Sequence, residues 1–237
     1  MPQTVSVESA DGPMGLYDAE PEGAARAAVM VIQEAFGVND HIEDVCRRLS
    51  AEGYRAVAPH LFHRTGDPIL GYGDIAQVMP HIQGMSASGL ESDLDATLAY
   101  LADVGFEGTR VGVVGFCMGG TIAFLAATLQ ALGAAVTFYG GGITEGRFGM
   151  RPMVELVTEL KAPWLGLYGD RDQGIPVDQV EALRKAVEAA DVPTEIVRYP
   201  DADHGFHCDA RDSYHEQSAK DAWQRTLRWF DTYLVGR

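Results

Sequence analysis

Residues 111–120 read Val-Gly-Val-Val-Gly-Phe-Cys-Met-Gly-Gly. The spacing places Cys117 between Gly115 and Gly119, after an apolar run and before a helix-forming one. It matches a G-x-S-x-G nucleophile elbow with cysteine in place of serine. A sharp strand-to-helix turn strains its central residue, and a β-carbon two positions away would collide with the turn. The following helix N-terminus favours a thiolate. The pattern predicts a nucleophilic cysteine, with a buried cysteine in a glycine-rich turn as the alternative.

Two further predicted strands end in residues that could serve this thiol. Asp170 and Asp172 follow one of them, and His204 follows the next. An imidazole in contact with a thiol acts as its base, and a carboxylate holds the imidazole in the right tautomer. The order Cys, Asp, His along the chain is that of an α/β-hydrolase triad. The sequence therefore predicts a triad of Cys117, His204 and one of the two aspartates, and the spacing does not decide which.

A fourth predicted strand end, residues 33–37, reads Gln-Glu-Ala-Phe-Gly. The loop at this place supplies one oxyanion donor in α/β-hydrolases, and the amide after the nucleophile supplies the other. The expected donors are the N–H groups of Ala35 and Met118. Glu34 beside them is unusual, because a carboxylate opposes the negative charge that develops in an oxyanion hole. One interpretation is a surface glutamate at the start of a loop; we favour a second regulator of the thiol.

Alternating strands and helices are expected to position these residues. The first 33 residues predict a β-hairpin followed by a buried strand, and strand–helix alternation continues from there to the C-terminus. The predicted helices run from Asn39 to about residue 51, over 90–104 behind a capping box at Ser88, directly after the elbow, and over 177–190 and 213–234. Residues 60–87 and 141–160 are predicted to be irregular, the latter partly helical. The pattern predicts a doubly wound, mostly parallel sheet flanked by helices.

Length and charge restrict the class of protein. The 237 residues, of which 46% are hydrophobic, suit a single domain covering 1–237. The net charge of −16 argues against nucleic acid or an anionic membrane as a partner. Residues 111–144 contain no Asp, Glu, Lys or Arg, but glycines interrupt the run. We therefore interpret it as a buried strand, helix and strand rather than a membrane span.

The cysteines and the motif content predict a protein without metal or cofactor. Cys46, Cys117 and Cys208 are far apart and form no C-x-x-C pair, so neither a disulfide framework nor a zinc site is expected. Neither H-E-x-x-H nor a Walker loop occurs. The N-terminus shows no signal-peptide pattern, and we expect a cytoplasmic protein.

Four segments together resemble the dienelactone hydrolase (carboxymethylenebutenolidase) family, and the similarity covers nearly the whole chain. These segments are residues 33–38, 115–120, 168–172 and 204–206. The resemblance implies an α/β-hydrolase fold and a Cys117–His204–Asp172 triad, with Glu34 interacting with the thiol. It assigns Asp172 rather than Asp170.

The chain departs from this family at the expected substrate clamp. Family members that hydrolyse lactone carboxylates carry one arginine before the elbow and another just after the histidine. Here Cys208 stands four residues after His204, and residues 65–90 contain no Arg or Lys. We therefore expect a neutral ester or lactone as substrate, although Arg64, Arg147 or Arg151 could restore a clamp. The candidate substrate-binding residues are Phe36, Arg64 and Phe206.

The sequence thus predicts a cofactor-free hydrolase that cleaves small carboxylic esters or lactones through a thioester. Two alternatives remain. One is a different acyl-transfer hydrolase, a thioesterase or peptidase, on the same triad. The other is a non-catalytic binding protein that retains the pocket. Nothing in the sequence distinguishes a monomer from a homodimer.

Overall fold

The computed structural model describes residues 2–73 and 75–236. Its strands are β1 (Gln3–Ser9), β2 (Gly12–Ala19), β3 (Ala27–Ile32), β4 (Tyr54–Pro59), β5 (Val111–Phe116), β6 (Ala134–Phe138), β7 (Trp164–Gly169) and β8 (Thr194–Tyr199). They form one sheet in the order β1-β2-β4-β3-β5-β6-β7-β8. Strands β3 to β8 pair in parallel, whereas β1 and β2 form an antiparallel hairpin and β2 pairs antiparallel with β4. The predicted doubly wound sheet with an N-terminal hairpin is therefore confirmed.

The central strands are apolar because both of their faces are covered. Every residue of β3 and of β5 is buried, as expected for parallel strands packed between helices. The uncharged run over residues 111–144 folds as β5, a helix and β6. In the described ranges, no helix has both the length and the apolar character needed to cross a bilayer. The interpretation of this run as buried strand, helix and strand is confirmed.

The helices are α1 (Asp40–Ala51), α2 (Ile75–Gln83), α3 (Ala87–Asp103), α4 (Met118–Leu129), α5 (Met153–Leu156), α6 (Val177–Ala186) and α7 (Glu216–Phe230). Helix α1 begins as predicted, because the side chain of Asn39 accepts a hydrogen bond from the amide of Ile42. Its apolar face, which includes Val45 and Leu49, is buried. An N-cap and one apolar face are sufficient to place this helix on the sheet.

The structure corrects three predicted boundaries. Residues 60–87 are not irregular throughout, since they contain α2, in which Val78 is the buried residue and Pro80 lies inside the helix. Helix α3 begins three residues earlier than predicted, and its cap is Ser86 rather than Ser88. Helix α7 begins only after His215, and the chain then continues through a π-helical turn at Asp231–Val235. Helix α2 was not predicted because Pro80 lies inside it and several of its apolar residues are exposed, so the sequence shows no clear helical period.

The topology brings the predicted site residues to one edge of the sheet. Strands β3 and β5 are neighbours, and Ile32 pairs with Gly115 near their carboxyl ends. The chain proceeds from β3 to β4 on one side and returns to β5 on the other. Such a switch point opens a crevice at the carboxyl edge of a parallel sheet, which is where ligands bind in folds of this kind.

Candidate active site

The turn between β5 and α4 has the strained geometry expected of a nucleophile elbow. Cys117 has φ 56° and ψ −119°, a conformation that costs a non-glycine residue free energy. A β-carbon at Gly115 would lie 1.9 Å from the carbonyl oxygen of Gly119, and one at Gly119 would lie 2.4 Å from that of Gln33. The two glycines are therefore required by close backbone contacts. The turn leaves the half-buried side chain of Cys117 at the wall of a cavity.

His204 and Asp172 meet beside this cysteine. Asp172 Oδ2 lies 2.7 Å from His204 Nδ1. Asp172 Oδ1 accepts hydrogen bonds from the amides of Gly174 at 2.8 Å and Ile175 at 3.1 Å. Asp172 is only 4% exposed, so its orientation is fixed by these three bonds. An oriented carboxylate holds the imidazole with its other nitrogen directed away from the aspartate.

The charge state of His204 depends on Cys117. Burial opposes the imidazolium, but the charge of Cys117, the bond from Asp172 and the hydrogen bond with Cys117 outweigh it and raise the pKa of His204 to about 10. The interactions of His204 with Cys117 and Asp172 thus favour the charged form of the imidazole.

Asp170, the other aspartate that the sequence left open, has a different partner. Its two carboxylate oxygens accept hydrogen bonds from Arg198 Nε and Nη2 at 2.7 and 2.8 Å. Arg198 also donates to Glu181 at 2.7 Å. This network joins β8 to α6 and leaves Asp172 as the aspartate in contact with His204.

Glu34 lies just after the end of β3 and is completely buried. Its Oε1 accepts a hydrogen bond from Arg211 Nη1 at 3.2 Å, and its Oε2 has no partner. Burial raises the pKa of Glu34, although the charges of Arg211 and His204 and the nearby hydroxyl of Tyr139 act in the opposite direction. Arg211 thus holds the carboxylate of Glu34 near the triad, but it binds only one of the two carboxylate oxygens.

Two residues at this site were missed by the sequence reasoning, Arg211 and Tyr139. Tyr139 has φ 39°, and its ring lies 5.1 Å from that of His204. Its hydroxyl is buried without a hydrogen-bond partner. The sequence could have indicated Tyr139, because this residue follows β6, a central strand. It could not have indicated Arg211, because the loop after His204 has no regular period.

The expected oxyanion donors lie where the two central strands end. The start of α4 packs directly on the end of β3, as the contact between Gly119 and Gln33 shows. Among residues 2–73 and 75–236, the amide of Ala35 has no hydrogen-bond acceptor. The amide of Met118 is the first of its helix, where an N–H has no partner within the helix. The prediction that these two N–H groups donate to a substrate oxygen therefore stays a prediction.

The candidate substrate-binding residues are placed differently from the expectation. A cavity of about 430 Å³ is lined by Cys117, Gly141, Arg147, Asp172, Gln173, Gly174, Ile175, Asp203 and His204. Phe206 is fully buried against Tyr199, and Phe36 packs edge-on against Tyr72. Neither aromatic ring lines this cavity.

The three arginines that could bind a substrate carboxylate, Arg64, Arg147 and Arg151, differ in their ion-pair partners. Arg64 donates to Asp11 at 2.6 Å and to Asp93 at 2.6 and 3.0 Å, so its guanidinium is occupied away from the cavity. Arg151 pairs with Glu159. Within residues 2–73 and 75–236, Arg147 forms no ion pair, and its side chain is exposed at the cavity rim. The sequence prediction of a substrate contact at Arg64 finds no support in this arrangement.

Comparison with known proteins agrees with the fold. The profile of the dienelactone hydrolase family matches residues 14–234. A Salmonella typhimurium protein provisionally named carboxymethylenebutenolidase is 44% identical over 237 residues, covering 96% of this chain and 86% of that protein. The crystal structure of a provisionally assigned dienelactone hydrolase from Klebsiella pneumoniae superposes with a TM-score of 0.91 at 42% identity, covering 98% of this chain and 99% of that one.

More distant structures share the fold alone. An acylaminoacyl peptidase from Pyrococcus horikoshii has a TM-score of 0.77 at 14% identity, and the match covers 99% of this chain and 42% of that one. Fold similarity therefore extends to peptidases and does not separate ester from amide chemistry. The family match does carry weight, because it spans nearly the whole chain. The chain belongs to the dienelactone hydrolase family, and it is a hydrolase with the α/β-hydrolase fold.

Proposed function

We propose that this protein hydrolyses small carboxylic esters or lactones through a thioester on Cys117. The observation that carries the proposal is the position of His204, which lies 2.7 Å from Asp172 and lines the same cavity as Cys117. A strained elbow, an oriented imidazole and a fixed carboxylate are the parts that nucleophilic acyl transfer requires.

In the acylation step, the Cys117 thiolate attacks the carbonyl carbon of the substrate. The N–H groups of Ala35 and Met118 donate to the oxyanion of the tetrahedral intermediate. As the intermediate collapses, the C–O bond breaks and the His204 imidazolium gives its proton to the leaving oxygen. The products of this step are a thioester and a neutral imidazole. For a lactone the leaving oxygen stays attached to the acyl group, because the ring has opened.

In the deacylation step, His204 acts as the base. Acylation removes the charge of Cys117, which is one of the causes that raise the pKa of His204. The imidazole is then neutral and takes a proton from water as the water attacks the thioester. Collapse of the second intermediate releases the carboxylic acid and restores the thiolate–imidazolium pair. Asp172 keeps the imidazole oriented in both steps.

Neutral substrates remain our expectation. Arg147 is the unpaired guanidinium among the residues that line the cavity, but it is exposed at the rim. Water screens an exposed charge pair, which contributes at most about 1 kcal/mol. Asp203, which also lines the cavity, opposes an incoming carboxylate. A carboxylated substrate therefore gains little at this rim over its neutral ester.

Pre-steady-state kinetics test the proposed nucleophile. An activated ester such as p-nitrophenyl acetate should give a burst of nitrophenol equal to one per chain, followed by slower turnover. Cys117→Ala should remove the burst and lower turnover by at least about 10⁴-fold, since the members of a triad act as a unit. Cys46→Ala, which changes a buried cysteine away from the cavity, is the matched control and should retain the burst.

The same assay separates the alternative functions. Turnover by Cys117→Ala at the wild-type rate would refute the thioester mechanism. Absence of turnover by the wild-type protein on all esters, lactones, thioesters and peptides would indicate a binding protein. Hydrolysis of peptides or thioesters at higher kcat/KM than esters would assign the same triad to a different substrate class.

A further inference from the structure

A second cavity, of about 160 Å³, lies apart from the catalytic one and shares no lining residue with it. Its walls come from α1, from α7 and from the segment that follows the catalytic histidine. The lining side chains include His41, His207, Asp209 and Trp223. The mechanism above uses none of these residues.

Three side chains with metal-ligating atoms lie close together here, and two of them, His41 and Asp209, line the cavity. A ring nitrogen of His41, the sulfur of Cys208 and a carboxylate oxygen of Asp209 all lie within 4.8 Å of one another. His41 and Cys208 are buried and Asp209 is exposed. Residues 2–73 and 75–236 contain this one group of three or more such ligands.

An independent observation is that two buried imidazoles here lack hydrogen-bond partners. His41 is 8% exposed and His207 is 3% exposed, and their rings lie 5.7 Å apart. His41 Nε2 and His207 Nδ1 are both without a partner. Buried polar atoms are usually satisfied by protein, water or an ion.

The surroundings of Cys208 suit a metal-bound thiolate. The thiol of Cys208 donates a hydrogen bond to the hydroxyl oxygen of Tyr72 at 3.2 Å, and that oxygen also accepts one from Asn39 Nδ2 at 3.0 Å. Once metal binding removes the thiol proton, the phenolic proton of Tyr72 can be donated to the thiolate. Hydrogen bonds of this kind orient metal ligands and tune their affinity.

We propose that His41, Cys208 and Asp209 bind one Zn²⁺ ion, with a fourth position open to the cavity. Nitrogen, thiolate sulfur and carboxylate oxygen are the zinc ligands of proteins, with bonds of about 2.0–2.3 Å. Binding releases the proton of Cys208, and one thiolate with one carboxylate then balances the dipositive ion. The ligands have to approach one another by about 1 Å from their present separations.

The position of this site indicates what the ion does. His41 lies in the first turn of α1, while Cys208 and Asp209 lie four and five residues after His204. Zinc would thus join α1 to the segment that holds the catalytic imidazole. Since the ion binds the folded chain, it should raise the melting temperature. Sequence spacing could not indicate the site, because its ligands come from distant segments.

The test uses the full chain, stripped with EDTA and titrated with Zn²⁺ and, separately, with Co²⁺. We expect one equivalent of each metal per chain and a thiolate-to-cobalt charge-transfer absorption band. Cys208→Ser should abolish the band and weaken Zn²⁺ binding by more than about tenfold. Asp209→Asn changes an exposed side chain that folding does not require, and it should weaken Zn²⁺ binding while Asp212→Asn does not.

Three results would overturn the proposal. The first is a stoichiometry below one with no charge-transfer band in the wild-type protein. The second is a band that persists in Cys208→Ser and disappears in Cys117→Ser, which would place the metal on the catalytic cysteine. The third is Zn²⁺ binding that neither Cys208→Ser nor Asp209→Asn changes, which would indicate adventitious binding to surface histidines.

Discussion

Asp93 and Glu34 are both completely buried carboxylates, yet their surroundings are opposite. Asp93 accepts hydrogen bonds from Ser9, His63 and Arg64 at distances from 2.6 to 3.1 Å. Glu34 accepts one at 3.2 Å from Arg211, and its second oxygen has no partner. The first network ties β1, α3 and the segment after β4 together, whereas the second lies beside the triad.

The difference shows where the fold satisfies buried charge and where it does not. A buried ion pair is tolerated when further hydrogen bonds satisfy the remaining atoms. Each unsatisfied buried group in a native structure calls for an explanation, and a catalytic role is one of them. Glu34 Oε2 and the hydroxyl of Tyr139 form no hydrogen bond of good geometry, and the hydroxyl lies close enough to Glu34 to lower its pKa. Both residues interact with the catalytic pair, Tyr139 with Cys117 and Glu34 with His204. We infer that Asp93 contributes to stability and Glu34 to chemistry.

Replacing Asp172 is expected to have the largest effect on catalysis. The carboxylate of Asp172 is buried and hydrogen-bonded like that of Asp93, but one of its partners is the catalytic imidazole. Asp172→Asn should lower kcat by about 10⁴-fold through loss of the productive histidine tautomer. Asp170→Asn removes the bonds to Arg198 instead and should change kcat far less. Steady-state kinetics of both variants provide the check, and reversed effects would show that the other aspartate serves the histidine.

Asp93→Asn should reduce stability rather than catalysis. The change leaves Arg64 and His63 without their buried anion, and breaking such a pair costs about 3–5 kcal/mol. Urea unfolding should show the loss, while kcat of the folded fraction stays close to that of the wild type. Asp95→Asn on the same helix changes an exposed residue and serves as the control. A large loss of kcat with unchanged stability in Asp93→Asn would contradict the comparison.

Glu34→Gln should change the pH dependence of stability. Burial raises the pKa of Glu34 above its ordinary value of 4.5, so the unfolded chain releases this proton at lower pH than the folded chain. The free energy of unfolding therefore falls as pH rises from 4.5 through the raised pKa. Removing the acid removes this fall, so the variant should gain stability relative to the wild type as pH increases.

Urea unfolding at several pH values from 4 upward measures that difference. Glu155→Gln, at an exposed position, is the control and should show no such trend. A wild type that gains stability over Glu34→Gln with rising pH would mean that Arg211 and His204 stabilise the carboxylate fully. Glu34 would then resemble Asp93.

Arg147→Ala should give the smallest effect, since this arginine is exposed and lacks the carboxylate partners that Arg64 and Arg211 have. We expect at most about a fivefold preference for a carboxylated lactone over its methyl ester, and loss of that preference in the variant. Arg151→Ala is the matched control. A preference of a hundredfold or more that disappears in Arg147→Ala would show that Arg147 clamps a substrate carboxylate.

The parts of the molecule that were predictable from sequence are those that depend on local pattern. Glycines flanking Cys117 indicated the elbow because close backbone contacts exclude a β-carbon at both positions. Runs of buried apolar residues indicated the parallel sheet. Helix α2 was not predicted, because Pro80 and exposed apolar side chains obscure its sequence pattern.

The parts that were not predictable depend on contacts between distant segments. Arg211 meets Glu34 across most of the chain, and no spacing rule connects the two. Arg64 was predicted to contact the substrate, and in the folded chain it forms ion pairs with Asp11 and Asp93. The choice between Asp170 and Asp172 came from family resemblance, since both follow the same strand and only the fold gives them different partners.

The most direct test of the central claim is to trap the covalent intermediate. The wild-type protein is mixed with p-nitrophenyl acetate, quenched in acid within the burst phase, and analysed by intact mass and peptide mapping. We predict one acetyl group per chain on Cys117, removable by neutral hydroxylamine as a thioester is. Acetylation at another residue, or continued turnover with no covalent species on Cys117, would contradict the account.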